Sequence, residues 1–334
     1  MRIDYELTGS DFESGVLLYR LLRQEFPGTY QTRLRLHHAP LIRLNLQNAY
    51  PRAYVTNKLG KVGAGSLYYG PFQSRALAEK YMNDSLDLFK IRRCTFELHP
   101  DPAFPGCVYS EMKMCLAPCF KGCTDEAYAA EVARVQAYFD SGGDSLFHEL
   151  ETERDRLSAD LDFEGAAQLH AKITKVKGIL SLCNDICRRL DLLDAVIVQP
   201  AAEAGSVALF RFRKGELCGP EKLMVERKQV AAMQDEGAEN PAERSPTQEE
   251  LLHDALQRLE GPGAKSATQF SEQLALLKRW HYRTHKSGEI VLARADGELP
   301  MRKIMNAVTR VSRGEKNTMP QIAEGQQQGQ QQPS

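Results

Sequence analysis

A chain of 334 residues with 42% hydrophobic and 26% charged residues has the composition of a globular protein and room for two or three cored domains. The formal net charge of −1 excludes a globally basic nucleic-acid binder, so phosphate contact must come from local patches. No apolar run reaches the roughly 18 residues of a membrane-spanning helix, and residues 1–15 carry no secretory pattern; a cytoplasmic location without a membrane partner is expected. In that compartment the eight cysteines point to metal binding or burial before a disulfide framework.

In chain order, the first 35 residues read as a short strand and a helix. Ser10 or Asp11 caps the helix, Phe12, Val16, Leu17, Leu21 and Leu22 recur at helical spacing, and Pro27-Gly28 stops it. Strands are expected across 41–45, 53–56 and 66–69, with a glycine-rich turn over 60–65. Gln73 or Ser74 opens a further helix. From Cys94 to Cys123 four prolines and five cysteines predict irregular chain. Thr124, followed by Asp125 and Glu126, caps a helix that ends at Ser141-Gly142-Gly143. A helical pair is expected over 144–159 and 162–189, then β patterning over 193–226 with a Lys214-Gly215 turn. Helices follow near 248–259 and 268–287, where the aromatics around Trp280, His281, Tyr282 and His285 are expected to pack inward. The whole predicts an α+β fold.

Cys94, Cys107, Cys115 and Cys119 are spaced C-x12-C-x7-C-x3-C. By count, four thiolates suit tetrahedral zinc or a four-iron cluster. One close pair with two distant ligands suits a loop wrapped around the larger centre, while the plainer reading is four small buried hydrophobes. Cys123 is either a substitute ligand or a free thiol. Cys183 and Cys187, one turn apart on the predicted second helix of the pair, read as core.

Tyr68-Tyr69-Gly70-Pro71-Phe72, Phe89-Lys90-Ile91-Arg92-Arg93-Cys94, Cys107-Val108-Tyr109 and Cys115-Leu116-Ala117-Pro118-Cys119 together resemble the middle of the excinuclease UvrC family. Leu161-Asp162-Phe163-Glu164-Gly165-Ala166-Ala167-Gln168-Leu169 is similar to the UVR motif, the helical hairpin through which that family pairs with the helicase subunit UvrB. The resemblance implies a [4Fe-4S] cluster on Cys94, Cys107, Cys115 and Cys119, with zinc as the alternative. It also implies a UvrB-like partner held through Phe163, Glu164, Ala166, Ala167, Leu169 and Ile173, with damaged DNA as the substrate. The apolar members are expected along one side of a helix, either zipping the hairpin shut or docking on the partner; a two-helix hairpin cannot bury both apolar faces alone.

Departures from the family sharpen the expectation. The family's GIY-YIG nuclease needs paired tyrosines, an arginine and a metal-binding glutamate. The chain begins too late for the first two strands of that fold, so a separately encoded nuclease half or a misplaced start is expected. The glutamate position falls on Leu18 and the following asparagine on Gln31. Leucine cannot ligate magnesium, so no intact magnesium site and no catalytic residue is expected. Glu13 is more than a helical turn from Leu18 and is expected to serve the helix N-terminus. No RNase H-like carboxylate array follows the strand pair near 207–219.

The expected organisation is a nuclease remnant over 1–72, a four-cysteine module over 73–143 and a UVR hairpin over 144–190. A β segment over 191–232, a linker over 233–247, a helical region over 248–313 and a disordered tail over 314–334 complete it. For DNA, Arg43, Tyr69, Lys90, Arg92 and Arg93 are candidates to neutralise phosphates or stack on bases, with Tyr68 and Phe72 beside them. The competing reading is that the arginines balance thiolate charge and the aromatics form core. Function divides the same way: a repair-complex subunit without its own blade, or a metal- or cluster-binding interaction protein outside incision.

Overall fold

The computed structural model describes residues 3–63, 65–225 and 246–315. The expected linker lies outside these residues except for its last two, and the expected tail except for its first two. The fold is α+β, with two four-stranded sheets whose paired strands are all antiparallel. Helices α1 (Asp11–Glu25) and α2 (Tyr30–Leu34) precede the first sheet. Ser10 caps α1 by accepting from the Glu13 N–H.

The first sheet joins β1 (Leu41–Asn45), β2 (Arg52–Thr56) and β3 (Ser66–Gly70) to a short late strand, β4 (Arg188–Arg189), in the order β2-β1-β3-β4. Successive side chains point to opposite faces, and each face has its own core. Ile42, Leu44, Ala53, Val55 and Tyr69 pack in one cluster with residues of α3 (Arg75–Leu86). Leu41 and Tyr68 enter another cluster, which they share with Phe12 and Val16 of α1.

Between β3 and β4 lie α3, the cysteine-bearing loop with α4 (Val108–Glu111), α5 (Asp125–Asp140), and the hairpin helices α6 (Asp144–Ala159) and α7 (Phe163–Leu180). Thr124 caps α5 as its place in the sequence predicts, accepting from the Ala127 N–H at 3.2 Å. The last hairpin helix ends at Leu180, short of the expected 189. Cys183 and Cys187 therefore sit on the turns that return the chain to β4 instead of on a helix, packed against the first core as their core reading requires.

The second sheet contains β5 (Asp194–Pro200), β6 (Ser206–Arg213), β7 (Glu216–Met224) and β8 (Glu289–Leu292), in the order β7-β6-β5-β8. Its two central strands, β5 and β6, are almost wholly buried because helices cover both faces. Helices α8 (Gln248–Arg258) and α10 (Met301–Ser312) cover Val196, Val198, Val207 and Leu209. Helix α9 (Ala267–His281), with α1, covers Ile197, Ala208, Phe210 and Phe212. Trp280 is buried, as expected, and meets Phe12 at 5.1 Å between ring centroids.

Two expectations about organisation need revision. Residues 248–313 are not purely helical, since β8 pairs with β5 and makes the β segment and the C-terminal helices one layered unit. Nor does α1 stay with the first sheet alone: it packs on the second sheet and α9. A buried carboxylate fastens this joint. Glu272 of α9 is 1% exposed and accepts from Tyr19 Oη at 2.9 Å, Tyr30 Oη at 2.8 Å and Gln31 Nε2 at 2.6 Å.

Glu272→Ala leaves those donors without their acceptor and is expected to cost about 3 kcal/mol of stability, read as a lowered urea midpoint. Burial, then the hydrogen bond to Glu272, pushes the Tyr19 hydroxyl from 10.0 up to about 12. Its folded value is raised, so the stability tied to this proton is fully present below pH 10 and is lost as pH rises towards about 12. A pH series of unfolding curves on the parent and Tyr19→Phe checks this; the variant should lack that alkaline component.

Candidate functional site

The cysteine module hangs between α3 and α5 on a few fixed backbone points. The Lys90 carbonyl accepts from the Leu116 N–H at 2.9 Å, and the Lys90 N–H donates to Glu131 at 2.7 Å. The Arg92 N–H donates to Tyr128 Oη, which in turn donates to the Pro51 carbonyl. The Arg92 guanidinium is itself buried and braces the loop by donating to the carbonyls of Cys94 and Phe96. Ser110 Oγ accepts from the Cys107 N–H, and the Asp101 N–H donates to the Cys119 carbonyl at 2.8 Å.

Within this bracing, Cys115 lies near enough to feel Cys94, Cys119 and Cys107, and Cys119 near enough to feel Cys107 and Cys94. Burial, followed by the other three sulfurs, pushes Cys115 up to about 11, against the N–H that Ala117 donates to its sulfur at 3.3 Å. Cys119 is raised by burial and by Cys107 and Cys94. All eight cysteines are free thiols, and Cys123 is half-buried against the first core. Among the described residues, no group of three or more His, Cys, Asp or Glu side chains is closed to metal-holding distance. The donor set nevertheless fits a thiolate centre in kind. Next to Cys94 in the chain, the Nε atoms of Arg92 and Arg93 are buried without an acceptor.

Leu18 occupies the position at which the resemblance placed a metal-binding glutamate. Leu18 is half exposed on α1 and borders a shallow cavity with Phe12, Leu34 and Leu276. Glu13 turns back and accepts from the Gly9 N–H at 2.8 Å, the helix-terminal role its spacing predicts. Gln31 is engaged by Glu272.

The candidate DNA residues do not share one surface. Tyr69 is 3% exposed and donates to Asp140 at 2.8 Å, so it offers no ring face for a base. Tyr68 and Phe72 are equally buried, because both faces of the first sheet are covered. Arg43 lies half-buried on Ser66 Oγ and near the rings of Tyr54 and Tyr68. Arg92 is internal, and Arg93 pairs with Asp87 at 2.7 Å. Lys90 alone of the five is exposed. The aromatics thus take the core reading.

In the hairpin, Asp162 caps α7 by accepting from the Gly165 N–H at 2.9 Å. A Cβ on Gly165 would fall 2.5 Å from an Asp162 oxygen and 2.9 Å from Leu157, so glycine is needed for the tight tip. The predicted apolar stripe splits in two. Ala166, Leu169 and Ile173 turn towards the hairpin interior with Val176 and Ile179, Ile173 being 2% exposed. Phe163, Glu164 and Ala167 face outward. Phe163 is 66% exposed and Leu161, at the tip, 72%. Leu161 was not among the sequence candidates; its signal is a leucine flanked by two aspartates between helices.

The model of the UvrC/Cho excinuclease middle domain matches residues 39–138. The UvrABC system protein C of Solibacter usitatus is 31% identical over 229 residues, which cover 67% of this chain and 36% of that protein. The same-named protein of Symbiobacterium thermophilum is 27% identical over 229 residues, 67% of this chain and 35% of its own. That of Methanothermobacter thermautotrophicus is 25% identical over 224 residues, again 67% of this chain and 37% of its own. The chain thus spans about a third of the length of the curated relatives it matches. No solved structure matches.

The two faces of α7 should separate in stability measurements. Phe163→Ser is expected to change unfolding free energy by no more than about 0.5 kcal/mol, whereas Ile173→Ala should cost between about 2 and 5 kcal/mol. Chemical denaturation of the two variants side by side checks the assignment.

Proposed function

The chain belongs to the UvrC family, and from that premise we propose that it serves nucleotide excision repair as an assembly subunit, docking a UvrB-like helicase subunit through its hairpin. The observation that carries this reading is the exposed apolar tip formed by Leu161 and Phe163 on a hairpin whose interior is already filled. Large apolar side chains so exposed on a rigid element are the usual anchors of a protein interface. Glu164 and Ala167, also outward, would rim the contact and allow close helix approach.

Damaged DNA is the proposed substrate of the assembled complex. Lys90 is the surviving candidate for direct contact from the cysteine module. The described segment supplies docking in place of hydrolysis: Leu18 offers no oxygen to a metal, and Glu13 is committed to the start of its helix.

Cys94, Cys107, Cys115 and Cys119 are proposed to hold a [4Fe-4S] cluster, with zinc as the alternative. When bound, such a centre supplies a covalent cross-link for a loop with little core of its own. The chain's own residues prepare for it: Arg92 fixes the backbone at Cys94, and Asp101 fixes that at Cys119.

Mixed with a purified UvrB-like subunit, the parent chain should co-elute, and Leu161→Ser with Phe163→Ser should weaken the complex by about tenfold or more. Equal affinity for parent and variant would refute hairpin docking. Magnesium-dependent nicking of damaged DNA by the mixture would refute a segment without a blade. Anaerobic protein should carry iron and sulfide in equal amounts, lost in Cys107→Ser and Cys119→Ser; zinc instead would support the alternative centre.

A further inference from the structure

Three lysines from three separate segments border one cavity of about 380 Å³. Lys61 comes from the loop between β2 and β3, Lys214 from the turn between β6 and β7, and Lys265 from the chain leading into α9. Among the described residues, none of the three takes part in an ion pair. The one carboxylate on the wall, Asp191, is already held by Arg189 through two hydrogen bonds of 2.8 and 2.7 Å. The cavity is therefore cationic and uncompensated, with an apolar side formed by Val62 and Phe270.

The backbone carrying these charges is fixed. The Gly60 N–H donates to the hydroxyl of buried Tyr68 at 3.0 Å, anchoring the Lys61 loop. The Ala264 N–H donates to the Lys214 carbonyl at 3.1 Å, tying the α9 approach to the hairpin turn. Gly215 lies so close to the Phe270 ring that a Cβ there would fall 2.3 Å from it. Lys214 itself adopts a left-handed conformation, with φ of +48°. Asparagine, aspartate or glycine fills that place in a two-residue turn with less strain. A lysine held there against its backbone preference, exposed on the border of a cavity with two more exposed lysines, is accounted for by a ligand that draws all three together.

We propose that this cavity binds phosphate, the three ammonium groups neutralising a phosphate of a nucleic-acid strand or of a free nucleotide. Lys61, Lys214 and Lys265 act as point charges on three sides, and the apolar wall lowers the local dielectric and strengthens each attraction. The site is separate from the hairpin tip and does not depend on helicase docking.

The test uses the whole chain as parent, as Lys214→Gly and as a triple variant that adds Lys61→Ala and Lys265→Ala. Lys214→Gly relieves the left-handed strain, so its folding is not compromised. The probes are a labelled single-stranded oligonucleotide, titrated across a salt series, and inorganic pyrophosphate and dATP, followed by thermal shift. If the phosphate is that of a strand, each lysine removed should lower the slope of log affinity against log salt by about 0.7, and the triple variant should bind roughly tenfold weaker or more. If it is a free nucleotide, pyrophosphate and dATP should stabilise the parent but not the triple variant, with oligonucleotide binding unchanged. Parent, Lys214→Gly and triple variant giving equal oligonucleotide affinity, salt slope and pyrophosphate shift would overturn the proposal.

Discussion

Asp140 stands where the hairpin leaves the body of the protein, and its carboxylate holds both ends of that departure. It accepts from Tyr69 Oη of β3 at 2.8 Å and from Arg189 Nη1 of β4 at 3.1 Å. Helix α5 ends on Asp140, and α6 begins four residues later. The chain that returns from α7 is thus clamped to the chain that enters α6. Gly143 completes the root, because a Cβ there would lie 2.4 Å from Leu180 at the end of α7. With the root fixed and the interior filled by Ile173, Val176 and Ile179, the hairpin is a stiff stalk. Its exposed tip then costs little further order when a partner binds.

The same clamp explains why the candidate DNA aromatics are unavailable. Tyr69 can reach Asp140 only by lying inside the core on one face of the first sheet, with its hydroxyl at the edge of that core. Tyr68, its neighbour on β3, faces the other way and meets a second core, where it anchors Gly60. A paired Tyr-Tyr run on a half-covered sheet would present one ring to solvent. Here both sides are roofed, one by α3 and its neighbours and the other by α1 and the second sheet.

Much of this was legible in the sequence where the signal is local. Ser10, Ser74 and Thr124 cap helices by accepting from N–H groups three residues on, and Lys214-Gly215 makes the expected turn. The prolines and cysteines of 94–123 marked out the irregular loop that does run between α3 and α5. What was not legible depends on distant partners. Glu272 looks like an ordinary helical carboxylate until Tyr19 and Tyr30, more than 200 residues earlier in the chain, are brought to it. Strand β8 has only four residues and opens on Glu289, which is 5% exposed only because Arg310 of α10 supplies two hydrogen bonds of 2.8 and 2.6 Å. Pattern alone therefore assigned its surroundings to helix. The UVR-like stripe was read as one face because 163, 166, 167, 169 and 173 are all apolar. Helical geometry divides them, since residues one apart are about 100° apart around the axis.

The placement of α1 links these points to function. A helix that carried a metal-binding carboxylate would need that residue open to a scissile phosphate and supported by neighbouring ligands. Instead α1 buries Phe12 and Val16 against the second sheet, gives Glu13 to its own N-terminus and gives Tyr19 to Glu272. Its polar groups are spent on fastening two sheets together. Leu18 stands half exposed between those commitments, on the border of a cavity that Arg279 and Arg283 also line. The helix works as a strut that joins the two sheets.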